Sequence, residues 1–142
     1  MRAEIVQRGI DTEALIARVA CVTNGATAVF VGTVRSSNDG RDVTGIEYSA
    51  YDEMAVNEME AILDEAAAKF EITEGAIEHR TGTLSIGDVS IGVVVAAPHR
   101  APAMDALRFI VDETKSRAPI WKLEHYADGT REWVGASKDV AK

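Results

Sequence analysis

Cysteine is nearly absent from this chain. Its one thiol, Cys21, excludes an internal disulfide, and Cys and His residues do not cluster at zinc-ligand spacing, so neither a structural metal nor a resident cofactor is expected. No apolar run approaches the roughly 20 residues that span a bilayer. The N-terminus, MRAEIVQRGIDTEA, carries charges where a secretory signal needs an apolar core, so the chain is read as cytoplasmic. A basic stripe with interleaved aromatics is missing, which argues against nucleic acid as a partner. The common chemical motifs are missing too: there is no GxxxxGKS/T phosphate loop, GxGxxG fingerprint, HExxH zinc helix or GxSxG elbow.

What is present is a globular composition, 46% hydrophobic and 27% charged, in a chain long enough for one domain, 1–142, with a real core. The net charge of -8 is unevenly placed. Between Tyr51 and Glu78 nine acidic residues stand against one base, Lys69, and that segment carries the whole imbalance. Its simplest reading is a solvated helix face. Pro98 to Lys122, by contrast, is net positive.

Local patterns predict strands alternating with helices. Residues 3–8 form a short strand, and Asp11 caps a helix running through Leu15 and Val19 to Cys21, stopped by Asn24-Gly25. Ala26–Val34 is a strand apolar enough to be buried on both faces. Ser36–Asp42 reads as a loop and Val43–Tyr51 as a strand. Asp52–Phe70 is a helix with Met54, Met59, Ile62, Leu63 and Ala66 inward. Ala76–Gly82 is a strand, Leu84–Asp88 a turn, and Asp88–Ala97 a buried strand. A long helix from Ala101 carries Pro102 in its first turn, where a missing N–H costs nothing, and ends by Pro119. Ile120–Tyr126 and Thr130–Val134 are closing strands, and the last residues fray. The order specifies an α+β fold with a mainly antiparallel sheet.

Cations flank the long helix: His99-Arg100 before it, Lys115, Arg117 and Lys122 at its far end. Lys115 is either a helix-end cation favoured by the dipole or part of an anion site. Lys122 is either a strand lysine facing water or one held beside aromatic walls, where a lowered pKa suits it to acid, base or nucleophile chemistry. His99-Arg100 precedes a helix N-terminus, where free N–H groups and a guanidinium suit a phosphate, although a histidine there is also an ordinary cap or core residue. Arg35, at a strand end, is a third anion contact or a plain surface arginine. Arg41, in the loop, closes over a ligand or has no function. His79 and His125 lack partners at ligand spacing and receive no role. Trp121 and Trp133 are packing groups, Trp121 also a candidate pocket wall. Cys21, among Leu15, Val19 and Val22, reads as a buried, inert thiol. At about 1.5 Å per residue, Arg100 and Lys115 lie roughly 20 Å apart, too far for one small ligand. Either one end is used, or a second copy brings its His99-Arg100 beside Lys115 and Lys122. A twofold dimer with two composite sites is the reading adopted.

The segments GATAVFVGTVRSSNDGRDV, YDEMA, HRTGTLSIGDVSIGVVVAAPHR and TKSRAPIWKLEHYADGTREWVG together carry a family resemblance. From about Gly25 to Gly135 the chain resembles the catalytic (large) subunit of molybdopterin synthase. The resemblance implies an α/β-hammerhead-type fold with additional C-terminal strands. It implies conversion of cyclic pyranopterin monophosphate to molybdopterin in molybdenum cofactor biosynthesis, by installing a dithiolene. Sulfur would arrive as a thiocarboxylate on the C-terminal Gly-Gly of a small ubiquitin-like partner. The implied assembly is a heterotetramer around a homodimer of large subunits, with the pterin pocket at the dimer interface. Lys115 and Lys122 match the family's two essential lysines. Arg35, His99 and Arg100 match its substrate-binding cations, the last two donated across the dimer. Two anions must then meet, which needs local cations despite the overall charge. Lys122 would transfer protons and Lys115 stabilise developing negative charge, or the reverse, and no cysteine is needed. Two other readings are a sulfurtransferase carrying persulfide on Cys21 and a non-enzymatic regulatory module binding a phosphorylated metabolite at His99-Arg100.

Overall fold

The computed structural model describes residues 1–134. The expected fraying of the last residues lies outside this range. Along the chain run β1 (Arg2–Val6), α1 (Thr12–Val19), β2 (Ala26–Thr33), β3 (Ser37–Asn38), β4 (Arg41–Ala50), α2 (Asp52–Lys69), β5 (Glu74–Arg80), β6 (Gly82–Ser85), β7 (Val89–Ala97), α3 (Arg100–Arg117), β8 (Ile120–Tyr126) and β9 (Arg131–Val134). The α+β class is as the sequence predicts, but the strands form two sheets. The first has the order β1-β5-β7-β2, and only its β1–β5 pair is parallel. The second is antiparallel, with β4 flanked by β3 and β6 on one side and by β8, then β9, on the other. No helix among the described residues is long and apolar enough to cross a membrane.

β7 is the spine of the first sheet. Its unbroken apolar run is explained by helices on both faces. Val94 and Ala96 pack with Leu15 and Val19 of α1, while Val93, Val95 and Ala97 join Met59, Ile62, Leu63, Ala106 and Ile110 of α2 and α3. On β2 only one face is covered by them. Ala28 and Phe30 pack on the core, but Val29 and Val31, on the other face, are exposed, because the buried side chains of α1, Leu15 and Val19, pack on β5 and β7. Burial of this strand on both faces is therefore corrected to one.

Asp11 caps α1 as predicted, its Oδ1 accepting from the Ala14 N–H at 3.1 Å. The helix stops at Val19, where Ala20 turns extended, and Cys21 and Val22 find no sheet beneath them. Cys21 is thus outside the helix and exposed rather than buried, its Sγ 3.2 Å from Thr23 Oγ1. In α2 the inward position is Ala55, fully buried; Met54 is 60% exposed, one residue off the apolar face. Trp133 is also largely exposed rather than packed.

Two segments read as loop or turn contain strands. Asp39 (φ 50°) and Gly40 (φ 76°) are both left-handed, making a two-residue hairpin turn that pairs Ser37–Asn38 with Arg41–Asp42. Gly82, at φ 97°, lets the chain leave the first sheet after β5 and enter the second as β6, where Leu84 is buried with Val34, Val43, Ile46 and Tyr126.

Charge placement also differs from a merely solvated acidic face. Arg117 Nε donates to Glu58 Oε1 at 2.8 Å, its Nη1 and Nη2 to Glu65 at 2.9 and 2.7 Å, and Nη1 to Glu113 at 3.1 Å. These carboxylates raise its pKa and clamp α3 to α2. Arg117 therefore belongs to the scaffold and leaves the cationic group around the end of α3. Arg41 is likewise occupied, bonded to Glu132 and Thr130 and stacked 3.5 Å over the Tyr126 ring, so it does not close over a ligand. Replacing Arg117 by Ala should lower the melting temperature by about 3 °C, less so in 1 M salt, as expected for a partly exposed ion-pair network. An unchanged melting curve at low salt would show that the clamp is not stabilising.

Candidate active site

α3 ends above the second sheet, and a cleft of about 220 Å³ opens beneath its last turn. The helix supplies Thr114 and Lys115, β8 supplies Trp121 and Lys122, and β4 supplies Tyr48. His79 of β5 and Ser90 of β7 reach it from the first sheet. The site thus sits where the two sheets and the helix meet.

Lys122 lies opposite Tyr48 on β4 and opposite Val134 on β9. Its side chain is 29% exposed, and burial lowers its pKa. The like charges of Lys115 and Arg35 push the same way, while Glu124 opposes them. Lys115 is exposed at the cleft mouth, its Nζ 5.9 Å from the Phe30 ring centre. Trp121 takes the wall position expected of it, in edge-to-face contact with Tyr51 at 4.9 Å.

Glu124 carries no role in the sequence reading, yet it ties the site together. It is 3% exposed. One oxygen accepts from Asn38 Nδ2 at 2.9 Å and from the Tyr126 hydroxyl at 2.9 Å, and the other stands 3.8 Å from Lys122 Nζ. Burial, then the contact with Glu124, pushes the Tyr126 pKa up to about 12, so the phenol stays a donor. Asn38 Oδ1 in turn accepts from Arg35 at 3.4 Å. Arg35, Asn38, Glu124 and Lys122 therefore form one connected run. A sequence signal for Glu124 exists in hindsight: Lys122, Glu124 and Tyr126 are spaced by two on one strand and share a face.

The structure brings Lys115 and Lys122 together, with Arg35 close enough to act on Lys122. It does not bring His99 and Arg100 to them. His99 occupies the N-cap of α3 without a side-chain cap bond, Arg100 opens the helix, and both are exposed at its opposite end. Among the described residues no group of three His, Cys, Asp or Glu is arranged to hold a metal ion.

The family model described as MoaE protein matches residues 5–117. The chain belongs to the MoaE family. Relatives include the molybdopterin synthase catalytic subunit of Pyrococcus abyssi, 44% identical over 92% of this chain and 87% of its own length. That of Bacillus subtilis is 38% identical over 94% and 85%. Among solved structures, molybdopterin synthase from Staphylococcus aureus superposes with a TM-score of 0.88 at 36% identity, covering 93% of this chain and 96% of that one. One chain of a complex of subunits 1 and 2 of molybdopterin-converting factor from Helicobacter pylori has the same fold, with a TM-score of 0.74 at 24% identity, covering 93% and 89%. The protein is accordingly an enzyme of the molybdopterin synthase catalytic subunit type.

The MoaE matched region includes the whole of α3 but stops short of Lys122 and Glu124, so the electrostatics of those two residues have to be tested directly. Titration of Lys122 by NMR on lysine labelled with 13C at Cε should give a pKa below the ordinary 10.5. Lys115→Ala should raise it, by removing a like charge. Glu124→Gln should lower it further, by removing the opposing one. A Lys122 titration indifferent to both substitutions would contradict this electrostatic account.

Proposed function

We propose that the Lys115–Lys122 cleft is where sulfur passes from a thiocarboxylated partner to cyclic pyranopterin monophosphate, forming the dithiolene of molybdopterin. The observation that carries this reading is the pairing of two lysines in one concave site, one exposed at the mouth and one half-buried beside a buried carboxylate. Both reactants are anionic, and cations fixed beforehand stabilise their meeting and the charge that develops. The thiocarboxylate sulfur forms a C–S bond to a side-chain carbon of the substrate as a C–O bond at that carbon breaks and its oxygen leaves protonated, and the partner stays attached as an acyl thioester. Water then cleaves the thioester, so sulfur stays on the pterin and the partner leaves as a carboxylate. A second round gives the second sulfur. Lys122, whose lowered pKa brings its neutral form nearer to the working pH, is the proton-transfer group. Lys115 is the charge stabiliser, and Arg35 extends the cationic wall.

The partner in this reading is a small ubiquitin-like subunit whose Gly-Gly tail enters the cleft. The two-subunit complex of the Helicobacter pylori relative supports it. Two copies of this chain at the centre of a heterotetramer would set His99 and Arg100 of one beside the lysines of the other. Their exposure and their distance from the lysines of their own chain favour that arrangement. The reaction belongs in the cytoplasm, and the chain acts as one domain.

In a reconstituted assay with thiocarboxylated partner and cyclic pterin, Lys122→Ala should lose about 10²- to 10⁴-fold in rate, the usual span for a proton-transfer group. Lys115→Ala should lose about 10²- to 10³-fold, as for a lost charge stabiliser. Both should keep the wild-type fold by circular dichroism, and activity within twofold of wild type in either would remove that lysine from the mechanism. Mixing Arg100→Ala with Lys122→Ala protein tests the shared site. A purified mixed dimer holds one intact composite site and should recover about half of wild-type activity. No recovery in a verified mixed dimer would mean that each chain works alone.

A further inference from the structure

The cleft has a second character besides its charge. Besides the lysines, its lining has four uncharged polar side chains, His79, Ser90, Thr114 and Tyr48, set among the apolar Ile91, Ala118 and Ile120. Ser90 Oγ donates to the Gly32 carbonyl at 3.2 Å. Hydroxyls can donate or accept, but His79 is more constrained. The residue is 7% exposed, and its ring is held edge-on to Tyr48, with centroids 5.0 Å apart and planes at 70°. Nδ1 lies 2.9 Å from the Arg80 carbonyl oxygen. A carbonyl only accepts, so the proton of the neutral ring sits on Nδ1 and Nε2 keeps a lone pair. Burial, reinforced by Lys115 and Lys122, holds the imidazole pKa at about 4, so near neutral pH the ring adds no third positive charge. No hydrogen bond among the described residues engages Nε2, while the residue lines the cleft.

Every other ionisable side chain lining the cleft is a cation or, as Tyr48, a protonated hydroxyl. The lysines select an anion but say nothing about how the rest of the ligand is turned. A single acceptor fixed in direction in the same cleft does.

We infer that His79 is a substrate-binding residue whose Nε2 accepts a hydrogen bond from an N–H or O–H of the heterocyclic part of the substrate, setting its orientation while the cations hold its anionic part. This rests on the cleft being the substrate site. The ligand class it selects is an anion carrying a ring donor, not a simple phosphate. A ligand without that donor leaves Nε2 unpaired and loses affinity, the usual way a buried polar group enforces specificity.

The test begins with the wild-type complex. In protein labelled with 15N at histidine, saturating cyclic pyranopterin monophosphate should move the Nε2 resonance of His79 in the direction of an accepted hydrogen bond, and inorganic phosphate should not. An equal shift with phosphate, or none with the pterin, overturns the inference. In the synthase assay His79→Phe, which keeps the ring but not the acceptor, should raise KM for the pterin about tenfold with a smaller effect on kcat. His79→Gln, whose amide oxygen can reach the Nε2 position, should recover most of that loss. A folded His79→Phe enzyme with wild-type KM also overturns it. Should His79→Phe not fold, the labelled wild-type protein decides alone. Loss of activity in the lysine variants combined with negative results here would sink this inference and leave the cleft reading intact. Lysine variants that stay active would sink the cleft reading itself.

Discussion

A carboxylate taken out of water must find partners or lose its charge, and Glu124 meets that constraint with one group from the β3–β4 hairpin and two from its own strand. Asn38 comes from the β3–β4 hairpin, Tyr126 from the end of β8, and Lys122 from its middle. The hairpin is thereby fixed against β8, and Arg35 at its base is held on the side of the cleft where its charge reaches Lys122. The lysine is left in tension between burial and like charges on one side and a buried anion on the other. That balance governs how readily it gives up a proton, and it depends on the hairpin being closed as much as on the lysine itself.

α3 places charge by a similar division of labour. Two of its cations sit near its end, yet they are not equivalent. Arg117 is consumed by Glu58, Glu65 and Glu113 and holds the helix down. Lys115, two residues earlier and so about 200° away around the helix, lines the cleft instead. The acidic residues Glu58 and Glu65 of α2 take up the arginine on one side of the last turn, and Lys115 serves the cleft on the other.

Much of this was legible in the residues. The β7 run, the Asp11 cap, the placement of Pro102 and the two closing strands follow from local rules, and the helix length alone separates His99-Arg100 from Lys115. The failures have physical causes. The apolar pattern of β2 shows what the strand is made of but not that α1 packs on β5 and β7 and leaves Val29 and Val31 uncovered. Asp39-Gly40 is a hairpin signal that composition disguises as loop. Cys21 continues a helical pattern that lacks anything to pack on. Glu124 and His79 escaped because their meaning is relational: one is a buried acid only once Asn38 and Tyr126 surround it, and the other faces the lysines only after β5 and β8 are brought together.

At the start of β2, Gly25 donates its N–H to the Pro98 carbonyl at 3.2 Å, and a Cβ there would come within 2.7 Å of that oxygen. The strand is thus pinned at one end beside His99-Arg100 and delivers Arg35 at the other, with eight residues of ladder pairing to β7 between. An extended strand of that length behaves as a ruler of about 26 Å. The two cation groups stand at a set gauge: the molecule cannot fold one onto the other to suit a smaller ligand, and any assembly that uses both has to be built to that measure.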